Sequence, residues 1–133
     1  MSNLNIKIKG NTSSGFIKLN SEIPAKSIRL TGYNIICNNA PTAKTILINL
    51  EALQTSLASN SDYGFNNLSG IQLPLTGAIT IQESVNRTLF IKNSRIPNKF
   101  KFTLYDGNTG NLLNESTLES IDLFFNISNP NRI

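Results

Sequence analysis

Few residues of this chain could do chemistry, and their types and spacing set the first limits on function. The chain has no histidine, so a Ser-His-Asp triad, a Cys-His dyad and a histidine metal site are excluded within it. Cys37 is the lone cysteine, which excludes an intrachain disulfide and reads most simply as a small buried hydrophobe. Glu119 and Asp122 are the acids that would suggest a glycosidase pair, but their odd spacing in an alternating segment places them on opposite faces of a strand. Asp106-Gly107-Asn108-Thr109-Gly110 resembles the start of a calcium loop. An EF-hand loop beginning at Asp106 would need a bidentate Glu at its twelfth position, and Thr117 stands there. The Asp-Gly and Thr-Gly pairs fit a hairpin turn instead, supplying positive-φ positions. No glycine-rich phosphate loop is present. Trp is absent, so a sugar-stacking platform would fall to Tyr33, Tyr63 and Phe65. The sequons at Asn11, Asn67, Asn86, Asn114 and Asn126 are as many as an Asn-rich chain carries by chance. No catalytic residue, cofactor site or metal site is expected, and the chain reads as a protein that is not an enzyme.

The elements that would position any site are set by a composition of 133 residues, 39% hydrophobic and 15% charged. That length suits a single domain over residues 1–133, with a core large enough to be stable without a disulfide. With so little charge, neutral polar groups must solubilise the surface, and the 20 Asn, 14 Ser and 11 Thr fill that role. The 17 Ile and 16 Leu against a single Val, Val85, have no folding rationale, because Ile and Val are near-equivalent in strands. An AT-rich coding sequence accounts for the ratio. The N-terminal residues lack the charged and apolar regions of a signal peptide, and no apolar run approaches about 18 residues. A soluble protein without a membrane span, folding in a reducing compartment, is expected.

The net charge of +4 is distributed in alternating blocks. Residues 1–48 are basic and residues 49–86 acidic; residues 87–101 hold Arg87, Lys92, Arg95, Lys99 and Lys101 without an acid, and the remainder is acidic again. Such blocks suit a surface that meets complementary copies of itself. The dense terminal Lys/Arg run of a genome-packaging arm is missing, so no specific nucleic-acid binding is expected.

The hydropathy pattern is β throughout. Leu4, Ile6 and Ile8 alternate with Asn5, Lys7 and Lys9; Phe100, Phe102 and Leu104 alternate with lysine and threonine; and Ile121, Leu123, Phe125 and Ile127 share one face of the last strand. Residues 27–38 switch parity at Gly32, the signature of a β-bulge or corner. Residues 16–19 and 71–75 read as short strands, and residues 78–82 and 88–92 as two more. Residues 45–50 read as a strand buried on both faces. Residues 54–70 form the one long polar connection, and it carries Tyr63 and Phe65; a loop of that length in a compact domain is usually functional. About eight short strands with every Pro at a strand end or turn indicate an all-β antiparallel β-sandwich, best a single jelly roll, with an immunoglobulin-like sandwich as the alternative.

The order Gly15-Phe16-Ile17-Lys18-Leu19, Ile28-Arg29-Leu30-Thr31-Gly32-Tyr33, Phe100-Lys101-Phe102-Thr103-Leu104-Tyr105-Asp106 and Ile121-Asp122-Leu123-Phe124-Phe125-Asn126-Ile127 resembles the single jelly-roll minor capsid and penton proteins of virophages and large DNA viruses. The resemblance covers most of the chain as a strand pattern. It implies a structural capsid protein of the virion, made in the host-cell cytoplasm, that assembles with itself, as a pentamer, and with other capsid proteins. The candidate subunit interface is then the basic stretch Arg87, Lys92, Arg95, Lys99 and Lys101 against a neighbour's acidic block, with Tyr63 and Phe65 as aromatic anchors. The competing expectation is a receptor- or glycan-binding head of a viral fibre or secreted protein, built on the same loop.

Overall fold

The computed structural model of the chain describes residues 2–10, 12–39, 41, 43–53 and 71–127. Among them lie ten strands: β1 (Ser2–Lys9), β2 (Ser14–Lys18), β3 (Ile23–Pro24), β4 (Ser27–Cys37), β5 (Thr45–Leu50), β6 (Ile71–Pro74), β7 (Thr80–Phe90), β8 (Arg95–Ile96), β9 (Lys99–Asp106) and β10 (Leu118–Ile127), with one 3-10 turn at Lys92–Ser94. Eight of them make two four-stranded antiparallel sheets, ordered β1-β10-β4-β7 and β2-β9-β5-β6, and β3 pairs with β8 at the side. Along the chain the eight long strands alternate between the sheets, except that β5 and β6 are a hairpin within one sheet. Two interlocked Greek keys wound in this order are a jelly roll. An immunoglobulin sandwich instead keeps several consecutive strands side by side in one sheet.

The register explains why these residues form these strands. β10 pairs along its length with β1, aligning Ile6 with Leu123 and Ile8 with Ile121. On its other side it pairs with β4, aligning Ile28 with Ile127, Leu30 with Phe125, and Ile35 with Ile121. Every one of these side chains is buried, and they face Ile17, Phe100, Phe102, Leu104, Ile46, Ile48 and Leu50 of the second sheet across one continuous core. Side chains of strict two-residue period therefore meet in two layers, the arrangement that buries most apolar area per strand.

The parity switch in β4 is a bulge. Phe124 faces Gly32 while Phe125 faces Leu30, leaving Thr31 as the additional residue. The insertion lets Ile28 and Leu30 on one side of it, and Tyr33, Ile35 and Cys37 on the other, all point into the same core.

Two local expectations differ from the structure. Residues 78–82 and 88–92 are not separate strands: β7 runs unbroken through Gln82-Glu83-Ser84-Val85-Asn86. It is an edge strand, paired only with β4, and most of its middle is exposed. Its polar centre therefore carries no hydropathy alternation. The turn after β9 does form, with the Gly110 amide bonded to the Asp106 carbonyl, but only Gly110 has positive φ, at 78°. Gly107 serves close approach instead, since a Cβ there would collide with the Thr45 side chain. The second arm of this hairpin is a single bridge between Tyr105 and Leu112, because β10 belongs to the other sheet.

Gly10 closes the turn out of β1. Its amide donates to the Glu119 carbonyl at 2.6 Å, and a Cβ would overlap the carbonyl oxygens of Leu118 and Glu119. Gly10→Ala is therefore expected to destabilise the fold by about 1–3 kcal/mol, read as a lower urea midpoint with an unchanged slope.

Candidate functional site

The structure separates the five basic residues into three settings. Arg87 lies on β7 with Leu30 opposite it, half-buried, at the open flank between the two sheets. Its Nη1 donates to the Gln72 carbonyl of β6 at 3.0 Å, so it ties the two edge strands together across that flank. The nearby Tyr33 hydroxyl is pushed above its ordinary range by burial first and by Glu83 second, with Arg87 opposing the shift. Arg87 is thus engaged within the chain.

Lys92 and Arg95 flank the turn between β7 and β8. The Ile91 amide donates to the Lys26 carbonyl and the Lys92 amide to the Ala52 carbonyl, each at 2.9 Å. β8 is held by pairing Ile96 with Ile23 and Arg95 with Pro24. Asn93 and Ser94 take left-handed backbone angles, φ 59° and 55°, an arrangement uncommon outside glycine and sustained only where the surroundings impose it. Beside this turn lies an open groove of about 310 Å³ lined by Glu51, Ala52, Lys92, Asn93, Arg95 and Pro97. Arg95 meets Glu22 at 3.3 Å, the one ion pair among the described residues; both side chains are largely exposed, so the pair adds little to stability.

Lys99 and Lys101 stand on the outer face of β9, since Phe100, Phe102 and Leu104 point inward. Lys99 is opposite Lys18 and Lys101 opposite Phe16 on β2. The Lys99 Nζ sits 4.7 Å from the centre of the Phe16 ring, a cation–π contact that leaves the ring 58% exposed. Glu51 reaches this face as well, its Oε1 accepting from the Lys101 amide at 3.4 Å. Tyr63 and Phe65 lie outside the described residues.

Sequence reasoning passed over Phe16, although the signal was present. Ile17 is the inward residue of β2, so its neighbours Phe16 and Lys18 must point out.

Glu119 and Asp122 do not take the opposite faces that their spacing predicts: the register shift between Leu118 and Ser120 leaves Glu119 exposed at the start of β10, and Asp122 is half-buried on the outer face between Lys7 and Asn34. Among the described residues, no three His, Cys, Asp or Glu side chains gather closely enough to hold a metal ion. No helix among them is long and apolar enough to cross a membrane. Cys37 is buried, and burial raises its thiol pKa.

No protein-family model matches the chain, and no curated protein matches it. Among solved structures, the tomato aspermy virus X-ray structure is similar at 16% identity and a TM-score of 0.32, covering 99% of this chain and 80% of that one. The Drosophila NLP core, described for pentamer formation and histone binding, is similar at 11% identity and a TM-score of 0.29, covering 97% of this chain and all of that one. The chain thus has a loose structural similarity to a viral capsid protein and to a histone-binding protein. At such scores neither carries a functional argument, and the jelly-roll assignment stands on the strand register alone.

Raised pKa and burial together make Cys37 inert in the native state. Iodoacetamide at neutral pH is expected to leave it unmodified in the folded protein and to alkylate it fully in denaturant, as read by intact mass.

Proposed function

We propose that the chain is a structural, non-enzymatic subunit that works by assembling with copies of itself, as a capsid protein of a virion does. The observation that carries this reading is the jelly-roll strand order combined with a charge polarity along β9. Lys92, Arg95, Lys99 and Lys101 lie at the start of this strand and before it; Asp106, Glu115 and Glu119 lie at its far end and beyond. Eight residues of strand separate the two ends by roughly 24 Å. A basic end, and a far end where Asp106, Glu115 and Glu119 outnumber the neighbouring Lys9 and Lys44, favour a heterologous contact, in which one patch meets the other on the next copy and the ring closes when the rotation closes. Lys92 and Arg95 are the part of the basic stretch best placed for this contact, because they border a groove that a neighbour's side chain can enter. Their partners are Glu115 and Glu119, both exposed. The outer face of the β1-β10-β4-β7 sheet mixes neutral groups, Asn3, Asn5, Asn34, Ser84 and Thr88 among them, with the charged Lys7, Lys9, Arg29 and Asp122.

Size-exclusion chromatography with light scattering on the full chain tests this reading. The expected result is a closed oligomer, a pentamer in the proposed virion, at about 50 mM salt that dissociates toward about 1 M as screening lengths shrink. The double variant Lys92→Glu/Arg95→Glu is expected to be monomeric, and adding Glu115→Lys/Glu119→Lys is expected to restore the oligomer. A monomer at every concentration and ionic strength would overturn the reading.

A further inference from the structure

The outer face of β2 and β9 contains a feature that folding does not explain. Lys18 and Lys99 are directly opposed across the two strands, and like charges in that position destabilise a sheet. No acid lies on either strand until Asp106 at the end of β9. Between these cations Phe16 stands 58% exposed, next to Lys101 in the register and beneath the Lys99 ammonium. Outward positions further along β9 are the uncharged Thr103 and a second aromatic, Tyr105, both half-buried. The result is a row of Lys99, Lys101, Thr103 and Tyr105 flanked by Lys18, Phe16 and Ser14. Three of the cations lack an acidic partner, because the one ion pair among the described residues is Arg95 with Glu22.

We propose that this face binds single-stranded nucleic acid without sequence preference. Phe16 is the stacking platform for a base, and Lys18, Lys99 and Lys101 neutralise the phosphates on either side of it. The pairing of an exposed ring with cations spaced two residues apart on one strand and opposed on the next matches what a single strand presents, a π-face and a charged backbone alternating along one line. A duplex offers no free base to the ring, and an anionic membrane offers charge without a stacking partner. Nothing on the face forms a fixed donor–acceptor pattern for base edges, so binding is by charge and stacking alone. Glu51 is the opposing element. It is exposed and reaches the Lys101 amide, placing a carboxylate beside the track.

The inference goes beyond self-assembly but shares Lys99 and Lys101 with the basic end of that reading, and Glu51 borders both the groove and this face, so the mass of each variant is read beside its binding. Fluorescence anisotropy of a labelled oligothymidylate with the full chain tests it. Saturable binding at low salt is expected, with a logarithmic salt slope of about −2 for three phosphate contacts. Lys18→Gln/Lys99→Gln/Lys101→Gln is expected to weaken binding by more than about tenfold and to flatten the slope. Phe16→Ala is expected to weaken it by about tenfold, with Phe16→Tyr restoring most of the loss. Glu51→Gln is expected to strengthen it, and Lys7→Gln, on the other sheet, to leave it unchanged. Circular dichroism melts confirm that each variant is folded. Lack of binding, binding that Phe16→Ala leaves intact, equal affinity for duplex of the same length, or preference for phosphatidylserine vesicles would each overturn the proposal. The mass by light scattering is read separately, so failure of assembly and failure of nucleic-acid binding are distinguishable.

Discussion

Strand β10 lies between β1 and β4, and the rest of the sandwich depends on that placement. The last described strand must pair with the first over eight aligned positions, from Ser2 with Ile127 to Lys9 with Ser120. Its five inward side chains, Leu118, Ile121, Leu123, Phe125 and Ile127, then complete a core begun by residues more than a hundred positions earlier. Almost none of the pairing in the two sheets is local; the hairpin of β5 and β6 is the exception. A chain of this topology closes long loops before its contacts reward it, so its folding belongs to the slow end of small domains. Truncating β10 would remove the shared wall of the core, not a peripheral element.

Closing the sandwich in this way leaves its two outer faces unequal. The β1-β10-β4-β7 face mixes asparagine, serine and threonine with Lys7, Lys9, Arg29 and Asp122 and with the exposed rings of Phe90 and Phe124, without an opposed lysine pair. The β2-β9 side of the other sheet carries lysines with an exposed phenylalanine. Four edge strands remain, and β7 turns Glu83 and Arg87 toward the flank between the sheets. Arg87 there satisfies the Gln72 carbonyl of β6, and charges so placed discourage a further strand from adding to the edge.

Much of this was legible in the sequence, for a definite reason. Strands with one wet face and one dry face write their orientation into a two-residue period, so β1, β9 and β10 could be read directly. The parity change at Gly32 likewise announced the bulge in β4. β7 reads as two strands in the sequence because an edge strand exposed along its middle carries no such period, and β3 and β8, two residues each, are too short to carry one. The basic stretch looked like one surface because its members are neighbours in sequence. Arg87 points into a flank, Lys92 lies on a left-handed turn, and Lys99 and Lys101 share a sheet face with a strand some eighty residues earlier. Only the register assembles them with Phe16. Spacing along one segment does not encode what the opposite strand contributes.

Amide hydrogen exchange on the full chain at low and high protein concentration tests the central claim, a rigid jelly roll that assembles through its ends, most directly. The account predicts that amides of β10 and β4 exchange slowest at either concentration. Protection of residues 92–96 and 112–119 is predicted to rise with concentration and to fall again in high salt. Protection independent of concentration throughout the chain, or β10 exchanging as fast as the edge strand β7, would contradict it.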